Sequence, residues 1–213
     1  MAGGDEAKLK ISKEDYRMTA FFGKKRVIEH SIKKLKENGF KNIFVVAQPN
    51  VLTKLFDTLK DGSKYGVAIN YVEEKESKGT AFSLRLLKGK INTNFLIVYG
   101  DIIFNKLNVE ELWNSHLRQR GTATLVLTTS NEPSEKGVVK IEGNKVLKFT
   151  QKPKQADNYL VFSPIIAASP EMFEYKGDSL EQNVFPLLAE KGMLYGHLSS
   201  EKEKHIHSLR DLE

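Results

Sequence analysis

The stretch Phe95-Leu96-Ile97-Val98-Tyr99-Gly100-Asp101 decides the fold that this sequence predicts. The apolar residues Phe95 to Tyr99 are typical of a strand that is covered on both faces, as parallel strands usually are. Because Gly100 and Asp101 follow directly, one carboxylate is expected at the carboxyl edge of a sheet, where α/β proteins bind ligands. Asp101 could hold a divalent cation there, and Gly100 leaves room for a ligand beside the backbone. A surface turn is the alternative.

Strand and helix patterns alternate on both sides of this stretch. Apolar residues recur at helical or strand spacing through the first 130 residues. Helices are predicted over 27–35, 51–59, 80–87 and 109–119, with Asn108 as the N-cap of the last, and strands over 43–47, 67–71 and 122–129. This alternation indicates βα units and a mostly parallel sheet.

The pattern changes after residue 137. Two short strands meet at a Gly143-Asn144 turn, which predicts a small antiparallel extension. A strand is predicted over 160–168, where Pro164 indicates an edge position or a bulge. Ser179 is expected to cap a helix over 180–190 that Pro186 kinks or shortens, and a last strand follows at 194–198. The expected class is therefore α/β.

Composition narrows the function classes. The chain has 213 residues, a net charge of +6 and no cysteine. Since the basic residues are interleaved with acidic ones, a nucleic-acid partner is not expected, whereas a small polyphosphate ligand suits the charge. No apolar stretch approaches the roughly 20 residues of a membrane span, and no signal peptide is recognised. Without cysteine, a reducing cytoplasm is the expected compartment.

A series of short motifs occurs in the same order as in the sugar-1-phosphate nucleotidyltransferases. They are Met1-Ala2-Gly3-Gly4, the stretch 22–30, Asp61-Gly62-Ser63-Lys64-Tyr65-Gly66-Val67, Lys78-Gly79-Thr80-Ala81, Gly100-Asp101, Gly137-Val138-Val139 and Gln151-Lys152-Pro153. The chain therefore resembles that family, which includes thymidylyltransferases of glucose 1-phosphate and guanylyltransferases of mannose 1-phosphate. Because the likeness covers nearly the whole chain, it is stronger than any single motif.

The resemblance implies a fold and a reaction. The fold would be a Rossmann-like, three-layer single domain over 1–213, with a nucleotide-binding half in 1–130 and a sugar-side half in 131–213. The substrates would be a nucleoside triphosphate and a sugar phosphate, whose phosphate attacks the α-phosphorus while pyrophosphate leaves. No membrane partner is expected, and a homo-oligomer is possible.

Residue roles also follow from the resemblance. Gly3 and Gly4 would cradle the triphosphate, and Glu74, Gly79 and Thr80 would lie beside the base. Since Glu74 belongs to the charged run Glu73-Glu74-Lys75-Glu76, a solvated surface position is the other interpretation of it. Gly79 and Thr80 have an alternative interpretation as the ordinary start of a helix.

The same resemblance assigns the reacting centre. Asp101, beside Gly100, would hold Mg²⁺, and Arg17 keeps the positive charge of the family's Pro-Lys element. Lys152 would meet the sugar phosphate, and Gly137 would leave space for the sugar ring. An exposed lysine before a proline is the other interpretation of Lys152.

The sequence departs from the family pattern at several positions. Asp5-Glu6-Ala7-Lys8-Leu9 follows Gly4 in place of Gly-x-Gly-Thr-Arg, so the phosphate-binding arginine is missing. His205-Ile206-His207 stands where the family has a second metal-binding aspartate, and these histidines are either surface residues or a transition-metal pair. Gln151 replaces a glutamate. A catalytically degenerate relative that binds nucleotide sugar as a regulatory or assembly subunit is therefore the alternative function.

The start of the chain leaves three alternatives. The family has an apolar strand before Ala-Gly-Gly, whereas this sequence begins at Met1. Either the biological start lies upstream, or the alternating segment Ala7–Ile11 supplies a replacement strand, or the fold is incomplete. A third functional hypothesis, an unrelated mononucleotide-binding α/β domain, gains weight if no antiparallel extension follows residue 137.

Overall fold

The computed structural model describes residues 1, 6–13 and 15–213, so Gly3 and Gly4 lie outside the described residues. The chain divides into two compact units, each discontinuous in sequence. The first comprises Met1–Gly79, Tyr99–Lys106 and Glu203–Glu213, and the second comprises Thr80–Val98 and Leu107–Lys202. The expected division into a nucleotide-binding and a sugar-side half near residue 130 stays a prediction.

The helices follow the predicted pattern closely. The described α-helices are α1 (Glu6–Leu9), α2 (Val27–Glu37), α3 (Pro49–Leu59), α4 (Thr80–Arg85), α5 (Val109–Gln119) and α6 (Phe185–Glu190). Short 3-10 helices span Ser63–Tyr65, Pro133–Glu135, Pro170–Glu174 and Leu209–Leu212, and a π-helical turn spans Leu180–Val184. None of the helices in the described part of the chain is both long enough and apolar enough to cross a membrane.

The strands are mostly short. They are β1 (Phe21–Phe22), β2 (Lys25–Arg26), β3 (Asn42–Ala47), β4 (Ala68–Glu73), β5 (Phe95–Val98), β6 (Ile102–Ile103), β7 (Ala123–Thr129), β8 (Gly137–Glu142), β9 (Lys145–Gln151), β10 (Leu160–Ala168), β11 (Leu194–Leu198) and β12 (Lys204–His205). The predicted strands all appear except the replacement strand over 7–11. That hypothesis is wrong, because Ala7 to Leu9 belong to α1.

The second unit is built on a six-stranded sheet in the order β5-β10-β7-β11-β9-β8. Within it β7 and β11 run parallel, and the other neighbours run antiparallel. In the first unit β3 and β4 form a parallel pair. The antiparallel extension after residue 137 is thus confirmed as the β8–β9 hairpin. The α/β class is also confirmed, but the expectation of a mostly parallel sheet is wrong for the described strands.

Strand β10 accounts for that difference. It lies between β5 and β7 and runs antiparallel to both. Every residue from Val161 to Ala168 is buried, and continuous burial shows that both faces are covered without showing the strand's direction. The register shifts between Ser163 and Ile166, so Pro164 marks a bulge. The bulge is confirmed, whereas the edge position is not.

Each unit has its own apolar core. In the first unit, Ile32 of α2, Leu55 of α3 and Val45 of β3 belong to one buried cluster. In the second, the rings of Phe149, Phe162 and Phe185 meet edge to face, with centroids 5.2 to 6.0 Å apart. Aromatic pairs prefer this geometry, which fixes the ring of Phe149 beside the start of β8.

Two helix starts confirm local predictions. Asn108 Oδ1 accepts a hydrogen bond from the Glu111 N–H at 3.1 Å and caps α5. Ser179 Oγ accepts from the Gln182 N–H at 3.1 Å. The predicted helix over 180–190 is divided into a π-helical turn and α6, and Pro186 lies in the first turn of α6. The first N–H groups of a helix have no partner within it, so proline, which has no N–H, is well tolerated in the first turn of α6.

Candidate active site

Asp101 lies in the first unit, between Gly100 and the short strand β6. β6 pairs antiparallel with β12, which sets His205 opposite Ile102. The N–H of Ile206 donates to the carbonyl of Asp101 at 2.9 Å. The Asp101 side chain is 13% exposed, so its carboxylate reaches the surface and is not enclosed in the core. Strand pairing therefore brings the Asp101 turn and the His205 segment together.

Three polar side chains surround this carboxylate. His205 Nε2 lies 3.1 Å from Asp101 Oδ1, and Arg17 Nη1 donates to Asp101 Oδ2 at 3.5 Å. Arg17 Nη1 also lies 3.4 Å from His207 Nδ1. The two imidazole rings stack at a centroid distance of 4.1 Å. We call Arg17, Asp101, His205 and His207 the carboxylate cluster.

The charge states within the cluster follow from its geometry. Burial alone raises the pKa of Asp101, but the hydrogen bond and charge of His205, together with the charge of Arg17, outweigh it and lower this pKa below 3.8. Burial, and then the positive charges of His205 and Arg17, lower the pKa of His207 below 6.5. At neutral pH Asp101 is an anion and His207 is a neutral imidazole.

Arg17 is fixed by its backbone as well as by its side chain. Its N–H donates to the Leu9 carbonyl at 2.9 Å, next to an antiparallel bridge between Lys10 and Tyr16. Its side chain is 22% exposed. Among the described residues its Nε atom is buried and has no hydrogen-bond partner. The guanidinium therefore keeps one donor, Nε, that none of the described residues uses.

The residues implied for the base differ in their surroundings. Glu74 directly follows β4, is fully buried, and extends the parallel pairing through its N–H to the Ala47 carbonyl at 2.9 Å. The interpretation of Glu74 as solvated surface is therefore wrong. Gly79 has a φ of +112°, which favours glycine. Thr80 Oγ1 donates to Glu181 at 2.7 Å and accepts from the Leu180 N–H at 2.8 Å, so it joins α4 to the π-helical turn.

The glycines implied for the ligand approach other groups closely. Gly100 is buried, and its N–H donates to the Met1 carbonyl at 2.7 Å. A Cβ atom on Gly137 would lie 2.4 Å from Phe149 Cζ and 3.0 Å from Gln151 Oε1. The position that a Cβ atom of Gly137 would take is thus filled by Phe149 and Gln151. The expected place of Gly137 beside a sugar ring stays a prediction.

Lys152 follows β9 in an unusual backbone conformation. Its φ is +45°, in the left-handed region that lysine rarely adopts. Its N–H donates to the Lys136 carbonyl at 2.9 Å, which holds the turn, and its exposed Nζ lies 3.7 Å from Glu135. Strain of this kind is often found at functional positions.

The expected site residues are divided between the two units. Arg17, Glu74, Gly79, Gly100 and Asp101 belong to the first unit, whereas Thr80, Gly137 and Lys152 belong to the second. The contact between Arg17 and Asp101 joins two residues that the sequence analysis placed in the site.

Sequence reasoning named the histidine pair and Gln151 but included neither among the expected site residues. The pair carried a signal, since alternate histidines on an extended segment share one face. Gln151 Oε1 is a buried acceptor without a hydrogen-bond partner in the part of the chain that the structure describes. Its position in the family-like motif was the available signal.

Comparisons with known proteins agree with this architecture. The family model described as Nucleotidyl transferase matches residues 1–186. A protein of Oryza sativa subsp. japonica, provisionally named mannose-1-phosphate guanylyltransferase 1, is 33% identical over 186 residues. The mannose-1-phosphate guanyltransferase of Saccharomyces cerevisiae is 32% identical over 186 residues. Each alignment covers 82% of this chain and 50% of the relative.

A solved structure shows the same fold. It is a crystal structure of a Bacillus anthracis protein, provisionally named glucose-1-phosphate thymidylyltransferase, in complex with a sucrose. The TM-score is 0.87 at 21% identity, covering 99% of this chain and 89% of the other. The likeness to this structure shows the fold, and the family-model match shows that the chain belongs to the nucleotidyl transferase family. It spans about half the length of the curated relatives it matches.

The donor set does not match the cation that the resemblance implies. Mg²⁺ prefers six oxygen ligands in octahedral geometry. Among the described residues, the group at Asp101 offers one carboxylate and the two imidazoles of His205 and His207. Imidazole nitrogen suits Zn²⁺ and its first-row neighbours better. Asp101 is thus a ligand of the kind that Mg²⁺ prefers, whereas the other two donors, the imidazoles of His205 and His207, are not.

Proposed function

We propose that the chain transfers a nucleotidyl group from a nucleoside triphosphate to a sugar 1-phosphate, with release of pyrophosphate. The observation that supports the proposal most strongly is the ionised, partly exposed Asp101 paired with Arg17 at 3.5 Å, in a chain of the nucleotidyl transferase family. The names of the curated relatives suggest GTP and mannose 1-phosphate as the first substrates to test. The name of the structural neighbour suggests dTTP and glucose 1-phosphate as the second pair.

The chemistry needs positive charge and positioning more than covalent catalysis. An oxygen of the sugar phosphate forms a bond to the α-phosphorus while the bond to the departing pyrophosphate breaks. Since two anions must approach each other, fixed donors that neutralise phosphate charge lower the barrier. Arg17 fits this role, because its side chain is 22% exposed and a guanidinium can bind a phosphate in bidentate fashion.

On the sugar side we assign Gly137, Gln151 and Lys152 to one binding surface. Gln151 Oε1 is a buried acceptor that lacks a partner in the described part of the chain, and a sugar hydroxyl can donate to it. Lys152 presents an exposed ammonium group from a strained turn, in which position it could meet the sugar phosphate. Gly137 would serve this surface by admitting Phe149 and Gln151.

The remaining assignments belong to the same proposal. Gly3 and Gly4 would bind the triphosphate, and Glu74, Gly79 and Thr80 would lie near the base. Mg²⁺ would find only Asp101 as a hard ligand in the carboxylate cluster. A cytoplasmic location, favoured by the lack of cysteine, and a homo-oligomeric state complete it.

A second candidate function has specific support. Arg17 is occupied by Asp101 and His207, and acidic residues follow Gly4 where the family has an arginine. Both features should weaken the binding of a triphosphate, because one removes an available positive charge and the other adds negative charge. The chain could therefore bind a finished nucleotide sugar and act as a regulatory or assembly subunit.

One pair of measurements separates the two functions. Pyrophosphate release is followed with each nucleoside triphosphate and each sugar phosphate, alone and combined, in the presence of a panel of divalent cations. Release that requires both substrates supports transfer. Calorimetric binding of GDP-mannose or dTDP-glucose without any turnover supports the regulatory subunit, and binding of no nucleotide contradicts both proposals.

A further inference from the structure

Two histidines converge on Asp101 in the first unit. His205 and His207 are two residues apart on an extended segment, so their side chains share one face. Ile206 between them is fully buried and clusters with Val27 and Ile103. Because this apolar residue anchors the opposite face of the segment, both imidazoles are turned to the face on which Asp101 lies.

The backbone around these ligands is fixed before any ion arrives. The N–H of Ile206 donates to the Asp101 carbonyl at 2.9 Å. The N–H of His207 donates to Asp211 Oδ2 at 2.9 Å, and the N–H of Ser208 donates to the same oxygen at 2.8 Å. A donor set that is held in this way loses little entropy when it binds an ion.

The distances between the donor atoms suit a small metal ion. One ligand atom each from Asp101, His205 and His207 lies within 4.8 Å of the others. His205 Nε2 and Asp101 Oδ1 are 3.1 Å apart. Two ligands bound to Zn²⁺ at about 2.0–2.1 Å and a tetrahedral angle lie about 3.3 Å apart. This pair is therefore already close to the edge of a zinc coordination polyhedron.

We propose that Asp101, His205 and His207 form a binding site for a nitrogen-preferring divalent metal ion of the zinc type, in preference to Mg²⁺. One carboxylate with two imidazoles is a donor set of catalytic zinc and non-haem iron sites, which keep an open position for water or substrate. His207 is exposed, so the open position faces solvent. A phosphate oxygen could occupy it.

Arg17 is the group that the ion displaces. Its Nη1 lies 3.5 Å from Asp101 Oδ2 and 3.4 Å from His207 Nδ1. A dication next to a guanidinium is repelled, so Arg17 must swing outward as the ion enters. Removal of this positive charge should therefore tighten metal binding, whereas removal of a ligand should weaken it.

The inference shares Asp101 with the proposed function, but it can be tested without nucleotide and without turnover. An active enzyme that binds no zinc-type ion keeps the proposed function and overturns this inference. An inactive chain that binds a zinc-type ion through the expected ligands contradicts the proposed function and supports this inference.

The test is calorimetric titration of the untagged protein with ZnCl₂, and separately with MgCl₂. Absorption of the Co²⁺ form in the visible range reports coordination directly. His205→Ala and His207→Ala remove single ligands, and His207→Asp replaces a nitrogen donor by an oxygen donor. His30→Gln is the matched control, since His30 is a half-buried histidine of the same unit that contacts Phe22 instead of Asp101. Circular dichroism checks the fold of every variant.

The expected result is one equivalent of Zn²⁺ bound to the wild type and to His30→Gln, with no comparable Mg²⁺ binding. Loss of either ligand should weaken Zn²⁺ binding at least about tenfold. His207→Asp should shift the preference towards Mg²⁺, and Arg17→Met should bind Zn²⁺ more tightly than the wild type. The inference is overturned if folded His205→Ala and His207→Ala bind Zn²⁺ as the wild type does, or if the wild type prefers Mg²⁺.

Discussion

The carboxylate cluster of the first unit and the sugar-side corner of the second are built on different physical principles. We use the name sugar-side corner for Gly137, Phe149, Gln151 and Lys152. In the cluster, charged and polar groups hold one another, with Asp101 3.1 Å from His205 and 3.5 Å from Arg17. In the corner, a glycine admits an aromatic ring at a distance that no Cβ atom allows. Substitutions should therefore alter chemistry in the first and folding in the second.

The largest expected effect is the loss of turnover in Asp101→Asn. Asparagine keeps the shape of the side chain but removes the negative charge that Arg17 and His205 surround. We expect pyrophosphate release at saturating substrates to fall at least about 100-fold, which corresponds to about 2.7 kcal/mol of barrier. The melting temperature should also fall, because the lowered pKa of Asp101 means that His205 and Arg17 stabilise its anion in the folded chain, so turnover is compared at a temperature at which both proteins are folded.

Asp57→Asn is the matched control for this prediction. Asp57 belongs to the same unit and pairs with Lys60 at 3.4 Å, but its side chain is 64% exposed on α3. Exposed pairs of this kind contribute little to stability. An Asp101→Asn protein that is as active as Asp57→Asn contradicts the assignment of Asp101 to the reacting centre.

The next effect in size is the destabilisation by Gly137→Ala. The new methyl group would lie 2.4 Å from Phe149 Cζ, and that ring is held edge to face by Phe162 and Phe185. Because the ring cannot move away, we expect the free energy of unfolding to fall by about 1–3 kcal/mol. Urea denaturation measures it. In the double variant with Phe149→Leu, part of the loss should be regained, and full additivity would contradict the steric explanation.

The two regions also differ in what the sequence could predict. The resemblance to the family assigned Gly137-Val138-Val139 and Gln151-Lys152-Pro153 to the sugar side, and the Gly143-Asn144 turn predicted the hairpin that joins these two segments. Asn108 and Ser179 were correct for the same reason, since a cap acts on residues two or three positions away.

The contacts of the carboxylate cluster could not be obtained in this way. They depend on the pairing of β6 with β12, two strands of two residues each that lie far apart in the sequence. Strands of that length have no readable periodicity, so only the position of His205 and His207 at the family's second metal-binding aspartate indicated that they lie near Asp101. The position of β10 between β5 and β7 likewise depends on packing between residues far apart in the sequence. An apolar run such as that of β10 does not indicate which strands it will pair with.

A smaller effect is expected when the strained lysine of the corner is replaced by glycine. Lys152 has a φ of +45°, and a non-glycine residue in the left-handed region costs about 1–2 kcal/mol. The extra freedom of glycine in the unfolded chain offsets part of that relief. We expect Lys152→Gly to raise the free energy of unfolding by about 0.5–1 kcal/mol and to weaken the apparent binding of sugar phosphate.

Arg120→Gly is the matched control for Lys152→Gly. Arg120, at the C-terminus of α5, has a φ of +53° and no assigned role. Both variants should gain similar stability in denaturant titrations, whereas only Lys152→Gly should raise the KM for sugar phosphate. Equal KM values in the two variants would limit Lys152 to a structural role.

The smallest expected effect is a pH dependence of stability that comes from His116, a histidine of the second unit that has no carboxylate ligand beside it. His116 is 2% exposed, and its Nδ1 lies 3.0 Å from Thr124 Oγ1. Burial lowers its pKa below 6.5, and the more distant charge of Glu171 opposes that shift only in part. The unfolded chain therefore takes up a proton at a higher pH than the folded chain does. The contribution of His116 to stability is fully present above about pH 6.5 and is lost as the pH falls below it, with a slope of at most about 1.4 kcal/mol per pH unit for one proton.

Urea denaturation of the wild type and of His116→Gln between pH 5.5 and 7.5 measures this effect as the difference between the two free energies of unfolding. The contributions of His197 and His207 are the same in both proteins and cancel in that difference. A difference that grows in favour of the wild type on acidification would show that His116 is charged in the folded state.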